Sequence, residues 1–146
     1  MQSAMDGALG ARQSKCPTYF VHFVIDIGLR MNTETLQTLA LDAVNDLKAL
    51  DVVTFDVRDL TSISDIMIIC SGRSNRHVKS IAQNVVKKAK EAELKYIKME
   101  GEREGEWVIV DLADVIVHVM LPASREFYSL EDLWEPIEQL RENRHK

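Results

Sequence analysis

The chain has 146 residues, which is enough for one domain with a substantial core but not for two. Its composition, with 46% hydrophobic and 28% charged residues, is that of an ordinary globular protein. The formal net charge of −5 argues against direct DNA or RNA binding, because such binding needs a surface rich in Lys and Arg. The longest basic cluster, VKKAK at 86–90, is followed at once by Glu91 and Glu93, so we interpret it as a solvated helix face.

Cysteine content and hydropathy further limit which class of protein this chain can belong to. The two cysteines, Cys16 and Cys70, could form a disulfide, but reduced thiols in a cytoplasmic protein are the simpler interpretation. No second cysteine pair offers metal-ligand spacing, so we expect no cysteine-bound metal. No apolar run approaches 18 residues, and the sequence therefore predicts neither a membrane span nor a membrane partner.

The first 30 residues differ from the remainder of the chain. Small and polar residues without periodicity, MQSAMDGALGARQSKCPTYF, come before a short apolar run that His22 and Asp26 interrupt. These interruptions, and the lack of a small-residue cleavage site, argue against a signal peptide. We therefore predict that residues 1–30 are a non-native or disordered leader and that the protein proper begins at Met31.

The first elements after Met31 are a helix and two strands. Asn32 or Thr33 can cap the helix, and apolar residues then recur at helical spacing to near Leu50. The alternating, β-branched segment DVVTFDV at 51–57 predicts a strand. DIMIIC at 65–70 predicts a second strand, which we expect to be central because it is apolar on both faces.

A long amphipathic helix and three further strands come next. Ser71 or Ser74 caps the helix, whose inner stripe consists of Val78, Ile81, Ala82, Val85 and Ala89. The predicted strands are KYIKME at 95–100, WVIVDL at 107–112 and DVIVHVML at 114–121. A polar, glycine-bracketed hairpin loop at 101–106 joins the first two.

The chain ends in a predicted helix. Ser129, with Asp132 three residues later, resembles a capping box, and Pro136 should kink this helix or end its ordered part. We therefore assign residues 136–146 to a C-terminal helical tail. The whole order predicts an α/β fold with a mixed five-stranded sheet flanked by helices. The strand–helix–strand passage over 65–100 favours parallel pairing of its two strands.

The junction ICSGRSNRHV at 69–78 raises the question of catalysis. Cys70 and Arg76 have the Cys-x5-Arg spacing of cysteine phosphatases, in which a helix N-terminus and the arginine hold a phosphate. However, Ile69 rather than His precedes the cysteine, His77 rather than Ser or Thr follows the arginine, and no general-acid Asp is identifiable. We interpret Cys70 as a buried strand residue and Arg76 as the residue that orders the turn. The alternative function for this junction is that of a small phosphatase that uses the Cys70–Arg76 turn.

Nucleotide transfer is the second enzymatic alternative. Ser-Gly-x-Ser at a helix start is similar to the corresponding junction of the nucleotidyltransferase fold, and Asp111 and Asp114 lie near a predicted turn. Two-metal transfer needs carboxylates that converge on shared ions. That fold carries Asp-x-Asp on the strand after the helix, where KYIKME has none. We therefore interpret Asp111 and Asp114 as turn and strand-end residues.

The last two strands carry a candidate binding patch. By the two-residue period of a strand, Trp107 and Ile109 share one face, and Ile116, His118 and Met120 share one face of the next strand. If these faces coincide, they form an aromatic–methionine patch. Such a patch is either core beneath a helix or a hot spot for a partner. A lone His118, without a second histidine at ligand spacing, predicts no metal site.

Three separated motifs resemble, in this order and spacing, the ribosomal silencing factor family, which is also called the Iojap family. They are TSISDIMIICSGRSNRHVKSIAQNV at 61–85, EGEREGEWVIVDLADVIVHVM at 100–120 and SREFYSLEDLW at 124–134. The resemblance defines a domain over residues 31–135. One departure is Ala113, which stands where the family commonly has Gly.

The resemblance implies a binding protein rather than an enzyme, with a nucleotidyltransferase-like fold that lacks the catalytic carboxylates. Family members bind a ribosomal protein on the intersubunit face of the large subunit and block joining of the small subunit. Translation is thereby repressed under nutrient limitation, as in stationary phase. Matching positions imply a partner-binding set of Trp107, His118, Met120, Arg125 and Tyr128.

The charge of the chain agrees with the partner that the resemblance implies. An acidic surface suits a basic ribosomal protein and should be repelled by bare ribosomal RNA. A homodimer, with the apolar patch as the self-interface, is a third alternative beside the ribosome-binding factor and the enzyme.

Overall fold

The computed structural model describes residues 31–144, except for the side chain of residue 138. The leader predicted at 1–30 and the last two residues of the predicted tail lie outside the described residues. Chain contacts divide the protein after Asn32, and the unit that begins at Thr33 contains every element described below.

Four helices and five strands make up the described chain. The first half contains α1 (Thr33–Asp46), β1 (Leu50–Asp56), β2 (Ile66–Ser71) and α2 (Asn75–Glu91). The second half contains β3 (Lys98–Glu100), β4 (Trp107–Asp111), β5 (Val115–Met120), α3 (Pro122–Tyr128) and α4 (Glu131–Arg144).

The predicted elements of the first half are confirmed with small shifts of their ends. Ser74 is the N-cap of α2, and its hydroxyl oxygen accepts the backbone N–H of His77. The buried residues of α2 are those of the predicted apolar stripe. Helix α1 ends at Asp46, before the predicted end near Leu50, because Lys48 adopts a left-handed conformation and Leu50 already begins β1.

The five strands form one mixed sheet in the order β1-β2-β5-β4-β3. Strand β2 pairs in parallel with β5, and all other neighbours are antiparallel. The predicted parallel pairing of 65–70 with 95–100 is therefore wrong. Strand β5, buried along its whole length, takes the central place beside β2. Strand β3 has only three residues, two of them exposed and charged, and such a short charged strand suits the sheet edge that it occupies.

Helices cover both faces of the sheet. Helices α1 and α2 pack on one face, against β2, β4 and β5. On the other face α4 lies against β1, and Leu130 and Trp134 pack on a buried cluster of Phe55, Val57, Ile69 and Met120. The sheet is thus the middle layer of three, as expected for an α/β domain.

The C-terminal segment differs from its prediction. Helix α3 was not predicted, although Pro122 at its first turn is a recognised helix-start signal. Ser129 ends α3 in a left-handed conformation, and its hydroxyl donates to the Glu126 carbonyl oxygen at 2.7 Å. The predicted capping box is therefore wrong.

Helix α4 runs through Pro136 to Arg144, so the predicted boundary between 135 and 136 falls inside a helix. Beyond the proline, Arg141 anchors α4 to the end of β1. Its guanidinium donates to the Asp56 carbonyl oxygen at 2.6 Å and to the Asp59 carboxylate at 3.1 Å. These bonds hold the last turns of α4 in place despite the backbone hydrogen bond lost at Pro136.

Two findings limit the kinds of site within residues 31–144. None of the described helices is both long enough and apolar enough to cross a membrane. In the same part of the chain, no three His, Cys, Asp or Glu side chains come together as a metal-binding group.

Candidate partner-binding site

Cys70 is a core residue and not a nucleophile. Its side chain is completely buried at the end of β2, and this burial raises the pKa of the thiol to about 12. The thiol is therefore protonated at neutral pH, whereas catalysis by cysteine requires the thiolate. Arg76 lies exposed on the first turn of α2. The phosphatase alternative is wrong, because the residue types are present but the thiol is inaccessible and un-ionised.

His77, and not Arg76, orders the turn before α2. Its Nδ1 accepts the Arg73 backbone N–H at 2.9 Å, and its Nε2 lies 2.7 Å from the Leu47 carbonyl oxygen. Because Nδ1 accepts, the neutral ring carries its proton on Nε2 and donates it to Leu47. One imidazole thus joins the loop after β2 to the end of α1.

Asp111 ends β4 and Asp114 lies in the turn that follows, so they are strand-end and turn residues as predicted. The Asp111 carboxylate accepts the Ala113 N–H at 2.8 Å, and the Asp114 carbonyl oxygen accepts N–H groups from the start of β2. Ala113 between them adopts φ 70°, a conformation that favours glycine. The pair therefore closes the β4–β5 turn, and the nucleotidyltransferase alternative gains no support from it.

The two predicted patch faces coincide. Trp107 lies directly opposite Met120 in the antiparallel β4–β5 pair, and Ile109 lies opposite His118. Residues that face each other in such a pair project to the same side of the sheet. The Trp107 indole N–H donates diagonally to Nδ1 of His118 at 3.1 Å. The strands therefore assemble the predicted aromatic–methionine patch.

Helix α3 adds two rings to this patch. The Tyr128 ring lies 4.8 Å from that of Trp107, measured between centroids, and the Phe127 ring meets Tyr128 edge-on at 5.0 Å. Phe127 is 80% exposed and Tyr128 is 53% exposed. We call Trp107, Phe127 and Tyr128 the aromatic surface. Phe127 was not among the predicted residues; recognising the helix that starts at Pro122 would have placed it beside Tyr128.

His118 and Met120 lie beneath the aromatic surface. Met120 is completely buried, and His118 is only 8% exposed. Burial lowers the pKa of His118 to about 4, so its ring is neutral at physiological pH and its Nδ1 is free to accept from Trp107. These two predicted residues therefore support the site from within rather than present surface to a partner.

Arg125 is also held inside the fold. Its Nη1 donates to the Ser71 hydroxyl at 3.0 Å, and its Nε forms an ion pair with Glu131. The Arg125 side chain is 13% exposed. This guanidinium ties α3 to the start of α4 and to the end of β2, so it fixes where the aromatic residues of α3 lie.

Several acidic residues lie close in the chain to the aromatic surface. Glu106 and Glu126, each next in the chain to an aromatic residue of this surface, are exposed. Asp132 and Glu135 on α4 are exposed as well. Exposed aromatic rings of Phe127 and Tyr128, on a chain with these exposed carboxylates, are compatible with binding to a basic protein.

Known proteins are similar to this one in sequence and in fold. Residues 30–146 match the family described as RsfS: Ribosomal silencing factor during starvation. Ribosomal silencing factor RsfS from Chromobacterium violaceum is 45% identical over 104 residues, which cover 71% of this chain and 85% of that protein. The protein of the same name from Haemophilus influenzae is 43% identical over 94 residues, covering 64% of this chain and 92% of its own length.

A solved structure agrees with these matches. A crystal structure of a protein from Chromobacterium violaceum superposes with a TM-score of 0.70 at 45% identity, covering 72% of this chain and 88% of that one. The family is a non-enzymatic, regulatory one, which agrees with the buried, protonated Cys70. The match extends over the sheet, its helices and all the residues of the aromatic surface, and the chain belongs to the ribosomal silencing factor family.

Proposed function

We propose that this protein binds a ribosomal protein on the intersubunit face of the large subunit and thereby blocks joining of the small subunit. The observation that carries the proposal is the exposure of Phe127 and Tyr128 beside Trp107. Rings of this kind, clustered at a surface, are the residue types that dominate protein–protein binding energy. Membership of the family supports the ribosome as the place where the partner is found.

Charge supports a basic partner. The chain carries a net charge of −5, and the exposed residues Glu106 and Glu126 are next in the chain to Trp107 and Phe127. Complementary charge accelerates the encounter with a basic protein, and the same charge disfavours contact with the phosphates of bare RNA. The proposed contact is therefore with a ribosomal protein rather than with ribosomal RNA.

The proposed site has two parts. Trp107, Phe127 and Tyr128 contact the partner, while Met120 and His118 hold Trp107 from below and Arg125 positions α3. This refines the predicted set of five by separating the partly buried Trp107 and the exposed Tyr128 from the members that the fold buries. A standard interface of about 800 Å² per partner is large enough to include the aromatic surface and the acidic residues around it.

The proposed mechanism is steric. A folded domain seated on the face that the small subunit must contact excludes that subunit without any chemical step, and no cofactor is required. In the cell this would repress translation in the cytoplasm when nutrients are limited, including in stationary phase.

Co-sedimentation tests the proposal directly. The protein is centrifuged with purified large subunits, with small subunits, and with a mixture under conditions that allow joining. We expect pelleting with large subunits only, and fewer joined ribosomes in the mixture as the protein concentration rises. Absence of pelleting with large subunits would overturn the proposal.

The exposed rings also favour a second candidate, self-association into a homodimer. A second copy could cover the same aromatic surface, and the two uses would then compete. Sedimentation velocity over a range of protein concentrations decides the matter. A dimer that Phe127→Ala abolishes would support this candidate, and a monomer at all concentrations would exclude it.

A further inference from the structure

The loop between β3 and β4 is held by one face of α2. Three side chains spaced four residues apart on this helix, and therefore on one side of it, each donate a hydrogen bond to the loop. Asn75 donates to the Glu104 carbonyl oxygen at 2.9 Å, Lys79 to the Arg103 carbonyl oxygen at 3.0 Å, and Gln83 to the Glu102 carboxylate at 2.6 Å. We call Asn75, Lys79 and Gln83 the α2 clamp.

The loop leaves no free space where it meets its neighbours. Gly101 has φ 83°, and a side chain there would overlap the carbonyl oxygen of Trp107. Gly105 has φ 71°, and a Cβ there would come within 2.6 Å of the Lys79 side chain and 3.1 Å of the Asn75 carbonyl oxygen. The loop therefore touches Trp107 at one end and the α2 clamp at the other.

The end of the loop also holds the start of α3. The Glu106 carbonyl oxygen accepts the Leu121 N–H at 2.9 Å, and Leu121 is the N-cap residue of α3. The position of the loop therefore affects two elements. Trp107 follows the loop directly in the chain, and α3, which carries Phe127 and Tyr128, is joined to the loop by this hydrogen bond.

We infer that Asn75, Lys79 and Gln83 are positioning residues for the aromatic surface, acting through the 101–106 loop and making no contact with the partner themselves. The inference rests on the proposed function for its effect on binding. The loop carbonyl oxygens that the clamp satisfies are near solvent, so water can replace the lost donors and the fold survives their loss. Without these donors the loop is no longer held in one conformation, and it no longer fixes the positions of Trp107 and α3.

Lys79 offers the sharpest test. Lys79→Met removes the donor and keeps most of the aliphatic stem, whereas Lys79→Arg keeps a charged donor. Lys87→Met, at an exposed lysine of the same helix, is the matched control for the loss of charge. Each variant is made in the full chain and first shown to unfold cooperatively.

Two readouts report the position of the loop independently of any ribosome. Hydrogen–deuterium exchange measures protection of the backbone over 101–107. Acrylamide quenching measures access to Trp107, after Trp134→Phe has left it as the single tryptophan. The exchange measurement does not need the second substitution, so it stands even if Trp134→Phe perturbs α4.

The third readout is affinity for purified large subunits. We expect Lys79→Met to increase exchange and quenching and to weaken this binding about three- to tenfold, the effect of one lost hydrogen bond. Lys79→Arg should restore exchange, quenching and affinity to their original values, and Lys87→Met should change none of the three.

The outcomes separate the inference from the proposed function. Unchanged exchange and quenching in Lys79→Met would overturn the inference, and so would a loosened loop with unchanged large-subunit binding. If the unaltered protein fails to bind large subunits, the proposed function fails, and exchange and quenching still decide whether the α2 clamp positions Trp107.

Discussion

The Trp107 indole donates its N–H to Nδ1 of His118 at 3.1 Å, across two strands that pair in an antiparallel manner. The bond requires a neutral His118 with its proton on Nε2, because a protonated ring has no acceptor nitrogen. Burial supplies this condition by disfavouring the charged ring. Within residues 31–144, His118 Nε2 has no hydrogen-bond partner. The orientation of Trp107 is thus linked to the protonation state of a buried histidine.

Acid should destabilise the fold through His118. Its pKa falls from 6.5 to about 4 on folding, so the unfolded chain binds the extra proton between these values. This part of the stability is fully present above pH 6.5 and is lost as the pH falls toward 4. The loss is on the order of 3 kcal/mol at most. Urea unfolding of the protein and of His118→Asn, between pH 4 and 7.5, measures it. Equal pH slopes in the two proteins would contradict the assignment.

Phe127→Ala should weaken large-subunit binding without weakening the fold. Phe127 is 80% exposed, so we expect its truncation to change the free energy of unfolding by no more than about 0.5 kcal/mol. At a binding hot spot the same change costs about 2 kcal/mol or more, roughly 30-fold in affinity. Ile63→Ala is the control. Ile63 is 74% exposed and lies just before β2 begins, and the first residue of β2 is at the opposite end of the sheet from Trp107. If the two variants bind large subunits with equal affinity, Phe127 is not part of the binding site.

Ala113→Gly should stabilise the protein. Ala113 has φ 70°, and a left-handed conformation costs a residue with a Cβ about 1–2 kcal/mol relative to glycine. We expect the free energy of unfolding to rise by about 0.5–1 kcal/mol, after the greater freedom of glycine in the unfolded chain is included. Ala123→Gly, in the exposed part of α3, is expected to have the opposite sign. Thermal unfolding of both variants tests these two expectations. Destabilisation by Ala113→Gly would contradict the first of them.

Arg125 and Glu131 should be energetically coupled. Both side chains are mostly buried, and Arg125 also donates to Ser71. Removal of the arginine alone leaves a partly buried carboxylate without its partner, which is costly. We expect Arg125→Met to destabilise by about 2 kcal/mol and the double variant with Glu131→Gln to recover about 1 kcal/mol of it. A double-mutant cycle by urea unfolding measures the coupling. Additive effects would show that the ion pair adds no stability.

Local patterns predicted the helices and strands well where the pattern was complete. The apolar stripe and the Ser74 cap of α2 were both readable, because helical spacing and a capping hydroxyl are properties of neighbouring residues. Helix α3 was missed because seven residues are too few to display a period, and only Pro122 signalled its start. The capping role of Ser129 was misread because the same residue ends one helix just before another begins.

The sequence by itself determined the class of fold, the three motifs of the family and which residues share a face within each of the last two strands. These follow from alternation and short turns, which act over a few residues. The tertiary structure alone decided that β5 lies beside β2, that Met120 and Arg125 are held inside, that Phe127 is exposed, and that α2 holds the 101–106 loop. Each of these depends on contacts between segments distant in the chain, and burial, unlike periodicity, is a property of the assembled layers.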